Sequence, residues 1–333
     1  MTNTFNIGVD VGNFDTKTQH TSTPSGFSAM ANLPFSVDEY VKYNGKYYVV
    51  ENERFPYVKD KTKSDNCFIL TLFGIAKELI EQIKEEVKQN GASKEDVDKV
   101  IESVINVNLG VGLPPAHCAL LTEKTENYYN TKFSDIVEFT YKGQGISEVV
   151  LKIKLNKLKV YPQDVAAALT YISKETKKRP LALEYAKCYV LDIGGQTVDI
   201  VPIVDRRPEV AKCTSKEKGI LRMCEDIIPI IERDYDTTLS IEDISFVLSK
   251  KKTIIDGKVK EAIFSLAHAW IDKILDELRQ GGVDFKVTPL VFMGGGSLLL
   301  KEFIEDNPLL KVFEFIPDTR ANAMGYAEFI KRS

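Results

Sequence analysis

The chain has 333 residues, 44% of them hydrophobic and 28% charged, with a net charge of −4. That is room for about two domains of ~150 residues each and a sizeable core. The slightly acidic balance excludes a global basic field for nucleic acid or acidic membranes, and the short basic runs Lys177-Lys178-Arg179 and Lys250-Lys251-Lys252 read as solvated faces. Five scattered cysteines without CxxC spacing argue against a zinc site or disulfide framework and for a reducing compartment. No apolar run approaches the ~20 residues of a membrane span. The start, Met1 to Asn6, lacks the basic and apolar regions of a signal peptide, so a cytoplasmic protein without direct nucleic-acid or membrane binding is expected.

In chain order, Phe5 to Val9 reads as a strand, followed by a turn at Gly12-Asn13-Phe14-Asp15. Asn44-Gly45, between the Tyr- and Val-rich runs of residues 40–50, signals a hairpin. Apolar residues at helical spacing (Ile69, Leu72, Phe73, Ala76, Leu79, Ile80, Ile83, Val87) predict a helix over 68–89 that Asn90-Gly91 terminates. Ser93, with Asp96 three residues on, caps a short helix to Glu102. Val104 to Leu113 reads as a strand ending in Pro114-Pro115. Strands follow around 136–141 and 148–155, joined at Gly143-Gln144-Gly145. Pro162 suits the first turn of a helix from Gln163 to Ser173. After a strand pair around residues 188–200, the chain is mostly helical from Pro208 to Gln280, with apolar spacing over 220–231 and 262–278. Leu290 to Met293 is a short strand, Gly294-Gly295-Gly296 a turn, and Ser297 opens a helix. A last helix runs from about Thr319 to Lys331. Strands alternating with helices define an α/β class with added antiparallel pieces.

An internal repeat carries the chemistry. "IGVDVGNFDTK" (residues 7–17) and "VLDIGGQTVDI" (residues 190–200) each run strand, D-x-G, polar turn, second segment, so that Asp10 and Gly12 match Asp192 and Gly194. Either stretch alone suits a tight turn, because Asp and Gly are ordinary turn residues. The other reading is a phosphate grip, with glycine amides approaching an anion and the aspartate holding its metal. The strand, glycines and helix at residues 290–297 add bare amides at a helix start, although a helix cap alone would also want those glycines. Neither the dinucleotide G-x-G-x-x-G nor a Walker G-x-x-x-x-G-K-[ST] occurs.

In sequence order, Asp10-x-Gly12, Pro162-Gln163, Asp192-x-Gly194-Gly195-x-Thr197-x-Asp199, Gly294-Gly295-Gly296 and "TRANAMGY" (residues 319–326) resemble the five nucleotide-site segments of the actin, heat-shock-chaperone and sugar-kinase superfamily. "LDIGGQTVDI" and "VNLGVGLPP" (residues 107–115) are especially similar to the ParM-type bacterial actins that segregate plasmids. The resemblance implies two related α/β domains with ATP, or GTP, and Mg²⁺ in the cleft between them. The first would be 1–162 plus 319–333, with a small inserted subdomain at about 25–65. The second would be 163–318, with a helical subdomain at about 208–285. It implies Mg²⁺ held by Asp10 and Asp192, and Gln163 and Asp192 as the catalytic residues. Nucleotide contacts would come from Asp10, Gly12, Asn13, Lys17, Gly194, Gly195, Gln196, Thr197, Gly294, Gly295, Gly296 and Ser297. Lys17, seven residues after Asp10, matches a phosphate-contacting lysine, whereas Asn13 replaces a serine common in this loop. Gly219 is a candidate for opening a helix beside the nucleoside. Gln163 is the candidate for orienting the attacking water, with Asp164 as rival or as a favourable charge in a first helical turn. Small residues at Val165-Ala166-Ala167-Ala168 and at Ala321 and Gly325 suit two closely crossing helices that hinge, or tight packing alone.

Three function classes share such a site. The implied one is a filament-forming ATPase that polymerises on binding triphosphate, depolymerises after hydrolysis and moves DNA through a DNA-bound adaptor. A small-molecule kinase of the sugar-kinase type is the alternative, although no aspartate sits in a convincing acceptor motif. A chaperone would need a peptide-binding domain for which the sequence offers no candidate.

Overall fold

The computed structural model describes residues 4–33, 37–91, 93–143, 146–171 and 179–333. The Gln144-Gly145 part of one expected turn, the end of the helix expected to reach Ser173, the lysines at 177–178, the first three residues and the side chain of Asp96 lie outside the described residues. The chain divides into two units, Met1–Thr170 with Arg320–Ser333, and Tyr171–Thr319.

The first unit is built on nine strands: β1 (Thr4–Val11), β2 (Asp15–Lys17), β3 (Ser22–Pro24), β4 (Phe27–Met30), β5 (Tyr40–Tyr43), β6 (Lys46–Val50), β7 (Val104–Leu113), β8 (Val137–Gly143) and β9 (Ile146–Pro162). They form one sheet in the order β3-β2-β1-β7-β9-β8-β5-β6-β4. Its centre, β1, β7 and β9, is parallel, and the flanks are antiparallel. Alternation decides which face is covered: Phe5, Ile7 and Val9 of β1, with Ile105, Val107 and Leu109 of β7, are buried in one core. Helix α1 (Asn66–Asn90) lays Phe68, Ile69, Leu72, Phe73, Ala76 and Leu79 into that core. Each such large side chain contributes roughly 1.5–3 kcal/mol. Gly91 at φ 64° ends α1 as a left-handed cap. Asn44 (φ 47°) and Gly45 (φ 75°) close the β5–β6 hairpin in the left-handed conformations that its two-residue turn needs.

Helix α2 (Lys94–Glu102) lies where its cap signal put it, but α3 (Pro115–Lys132) was not expected. Pro115 is its first residue, and only Pro115, His117, Thr125 and Tyr129 are buried along it, so no apolar stripe announces it. The region after Pro162 also departs from expectation. Pro162 ends β9 instead of opening a helix, and α4 covers Val165–Thr170 only. On the opposite face of the sheet lies the C-terminal helix, Ala321–Arg332. It approaches β1 so closely that a Cβ on Gly8 would meet the Ala323 carbonyl oxygen at 1.9 Å. It crosses α4 the same way, since a Cβ on Gly325 would lie 2.6 Å from the Ala166 backbone.

The second unit begins with the short helix α5 (Leu181–Glu184), then β10 (Lys187–Ile193), β11 (Val198–Val204), β12 (Arg207–Pro208) and β13 (Thr214–Lys216). Helices α6 (Ile220–Tyr235), α7 (Ile241–Leu248) and α8 (Gly257–Gln280) follow, then β14 (Leu290–Met293), α9 (Gly294–Leu299), α10 (Lys301–Glu305) and β15 (Phe313–Phe315). The sheet runs β12-β11-β10-β14-β15, with β13 paired to β11. β10 is parallel to β14 and antiparallel to β11. Leu191 and Ile193 of β10, Met223 and Ile227 of α6, and Ile271 and Leu275 of α8 share one core.

Candidate functional site

The repeated motif folds into the same hairpin twice. In the first unit Asp10 is the register partner of Lys17, and in the second Asp192 is the partner of Asp199. In the first turn the Gly12 N–H donates to the Asp15 carbonyl at 3.1 Å, and in the second the Gly194 N–H donates to the Thr197 carbonyl at 2.9 Å. This corrects the expectation that Gly12 and Gly194 present bare amides: the turns consume them. Among the described residues no protein acceptor takes the N–H groups of the next two positions, Asn13 and Phe14 in one turn and Gly195 and Gln196 in the other. Two successive amides left without a protein acceptor are the elements of an anion-binding nest.

The first turn is braced from outside. The Ser25 hydroxyl donates to the Gly12 carbonyl at 2.8 Å, and the Arg54 Nε donates to the Phe14 carbonyl at 2.7 Å while its guanidinium stacks over the exposed Phe14 ring. Arg54 also pairs with Asp15 at 3.2 Å. Asp10 is buried, and its Oδ1 accepts from the Gln163 Nε2 at 2.8 Å. A carboxylate only accepts, so this bond fixes the amide orientation and turns the Gln163 Oε1 away as an acceptor. Lys61, which no motif announced, donates to the carbonyl of Val11. Partial burial pushes its pKa down, against the pull of Cys67 and Asp10.

Asp164 is not in the first turn of α4. It precedes the helix at φ 64°, buried, with its N–H held by the Asn322 Oδ1 at 2.7 Å and its Oδ1 accepting from the Asn322 Nδ2 at 3.3 Å. That clamp from the C-terminal helix replaces the charge–dipole role expected of it.

In the second unit Asp192 stands at the end of β10 opposite Met293, where β14 gives way to the glycines. Helix α9 already begins at Gly294, so the glycines are its first turn and Ser297 is its fourth residue. The Ser297 hydroxyl is buried and donates to the Met293 carbonyl at 2.6 Å, which commits its one proton to the backbone. Gly294 has φ 85°, and a Cβ on it would lie 2.0 Å from the Asp192 Oδ1. Gly295 faces open space. The Thr197 hydroxyl donates to Asp199 at 2.9 Å.

Helix α6 fixes this loop from below. The N–H groups of Gly219, Ile220 and Leu221 donate to the carbonyls of Gln196, Gly194 and Gly195. Gly219 is the N-cap and packs so tightly that a Cβ would lie 2.4 Å from the Gly195 oxygen. Gly219 thus opens a helix as expected, and its close approach seats the turn on the helix start. Among the described residues no cluster of three or more His, Cys, Asp or Glu could hold a metal ion. No described helix is long and apolar enough to cross a membrane.

Residues 190–306, from β10 to α10, match the family model described as archaeal actin homologue MreB-like, C-terminal. No curated protein sequence matches the chain. Among solved structures, the psk41 ParM protein is similar at TM-score 0.70 and 14% identity, covering 99% of this chain and 98% of that one. The archaeal actin homologue Ta0583 is similar at TM-score 0.68 and 22% identity, covering 98% and 99%, and it has also been solved in complex with ADP. A 15-stranded ParM filament from Clostridium botulinum gives TM-score 0.65 and 17% identity over 100% of both chains. The chain has the actin-like fold, two α/β units each carrying a D-x-G hairpin. Among solved proteins of that fold it is similar to ParM-type and archaeal actins.

Proposed function

We propose that the protein is a cytomotive, actin-like nucleoside triphosphatase. It binds Mg²⁺ with ATP, or GTP, through both D-x-G turns and assembles with copies of itself into filaments. It disassembles after hydrolysis and segregates DNA, a plasmid in the ParM manner, through a DNA-bound adaptor in the cytoplasm. The observation that carries this reading is the repeated hairpin, with a carboxylate at the strand end and two amides without a protein acceptor in each turn.

The donor set fits the ligand. Mg²⁺ keeps most of its waters and takes one or two carboxylates plus phosphate oxygens. Asp10 and Asp192 supply such carboxylates. When bound, the ion would neutralise charge developing on the phosphates. The amides of Asn13, Gly195 and Gln196 are free to donate to phosphate oxygens, and Lys17 lies across from Asp10 to add a cation. Gly295 leaves room for close approach. Gln163, held by Asp10, keeps its Oε1 to accept a hydrogen from the attacking water and so orients it. Identical subunits meeting head to tail do not close into a ring unless the rotation closes, and so give filaments. The solved ParM filament supports that step, and the ADP complex of Ta0583 supports the nucleotide.

Calorimetry tests the metal role. Asp192→Ala should stay folded and lose Mg²⁺-ATP affinity by tenfold or more. Unchanged affinity in a folded variant would reject it.

A further inference from the structure

Asp10 has a cation beside it that the repeat does not supply. Lys61 opens a one-turn 3₁₀ helix, Lys61–Lys63, and its ammonium donates to the carbonyl of Val11, the residue between Asp10 and Gly12. The backbone under it is anchored independently. Asp60 accepts from the Thr62 N–H at 3.2 Å and hydroxyl at 2.6 Å, and Lys124 of α3 reaches Asp60 at 2.6 Å. The Tyr128 hydroxyl donates to the Ser64 carbonyl at 3.0 Å, and Lys132 pairs with Asp65 at 2.6 Å. Lys61 itself is therefore not needed to hold the turn.

An ammonium has three donors. Among the described residues Lys61 uses them on one neutral carbonyl, and no carboxylate lies within ion-pair distance of it. Among the described residues Asp10 does not pair with it, since the Asp10 Oδ1 accepts from Gln163. The other carboxylate of the turn, Asp15, is already engaged by Arg54. Lys17 approaches the same strand end as the register partner of Asp10. A partly desolvated cation such as Lys61, without a counter-charge of its own, is costly unless an anion completes it.

We infer that Lys61 is a second phosphate-contacting residue of the Asp10 turn, one that engages the terminal phosphate of a nucleoside triphosphate and sets the preference for triphosphate over diphosphate. This rests on the nucleotide reading above. Gln163 and Lys61 attach to adjacent residues, Asp10 and Val11, which puts the extra cation at the same turn as the group proposed to orient the attacking water.

The test is calorimetric titration of wild type and Lys61→Met with Mg²⁺-ADP and with the Mg²⁺ complex of a non-hydrolysable ATP analogue. Lys61→Met should lose about tenfold to a hundredfold in affinity for the analogue, the range for one charged hydrogen bond. Its ADP affinity should change less than about threefold by the same reasoning. Lys63→Met, at an exposed position on the same turn, should change neither. Lys61→Arg keeps the charge and should keep the ratio of the two affinities. A ratio unchanged in folded Lys61→Met, or lost equally in Lys61→Arg, would overturn the inference. Wild type that binds neither nucleotide would instead reject the nucleotide reading itself.

Discussion

Replacing Gly294 by alanine should disable the site by moving Asp192, and the size of the effect follows from the backbone. At φ 85° an L-residue is strained by about 1–2 kcal/mol. The new methyl carbon would also lie 2.0 Å from the Asp192 Oδ1 and 2.6 Å from the Ile193 carbonyl oxygen, far inside contact distance. Relieving such overpacking costs a further ~1–3 kcal/mol. The sum, roughly 2–5 kcal/mol, corresponds to a Tm lower by about 4–20 °C at ~2–4 °C per kcal/mol. The Ile193 oxygen belongs to a paired strand, so the Asp192 carboxylate is the group that gives way, and Mg²⁺-nucleotide affinity should fall at least tenfold. Gly295→Ala is the matched control, because its methyl enters open space and should leave Tm within ~1 °C of wild type. Differential scanning calorimetry and nucleotide titration on both variants decide it. Gly294→Ala with wild-type Tm and affinity would refute the claim that this glycine shapes the aspartate's position.

Gln163→Ala should bind nucleotide and assemble nearly as wild type while releasing phosphate more slowly, by a factor of roughly 10²–10⁴, and its filaments should outlive those of wild type. Asp164→Asn should keep phosphate release near the wild-type rate, since Asn322 meets its backbone N–H and its Oδ1, and an asparagine carbonyl oxygen can accept the second of these bonds in place of the carboxylate. The opposite pattern in a phosphate-release assay would move the role one residue along. Burial pushes the Cys188 thiol up to about 12 and the Cys224 thiol up to about 11. Both are raised above the unfolded value of about 8.5, so their contribution to stability is present below that pH and lost as pH rises through the folded values. At pH 8 both stay protonated, and native-state labelling by a thiol reagent should be far slower than in urea.

Much of the fold can be read from local chemistry. The hairpin at Asn44-Gly45, the helix ended by Gly91 and the two D-x-G turns each rest on a few adjacent residues with a strong backbone preference. What escaped depends on partners distant in sequence. Helix α3 is covered at only a few polar-flanked positions, so no period marks it. The segment after Pro162 looks like a helix start, but Asn322 holds Asp164 in the left-handed region and delays the helix to Val165. The glycines of the turns were visible, but the direction of their amides was not, because an inward and an outward Gly12 have the same sequence. Lys61 sits in no motif, and only the fold brings it to Val11.

The central claim is that nucleoside triphosphate drives this chain into filaments. Sedimentation and negative-stain microscopy with ATP, GTP, ADP and no nucleotide, each with Mg²⁺, test it most directly. The account predicts that protein pellets as filaments above a critical concentration with ATP or GTP, and returns to the supernatant as phosphate is released. Protein that stays monomeric at high concentration with every nucleotide, while transferring phosphate to a sugar, would contradict it.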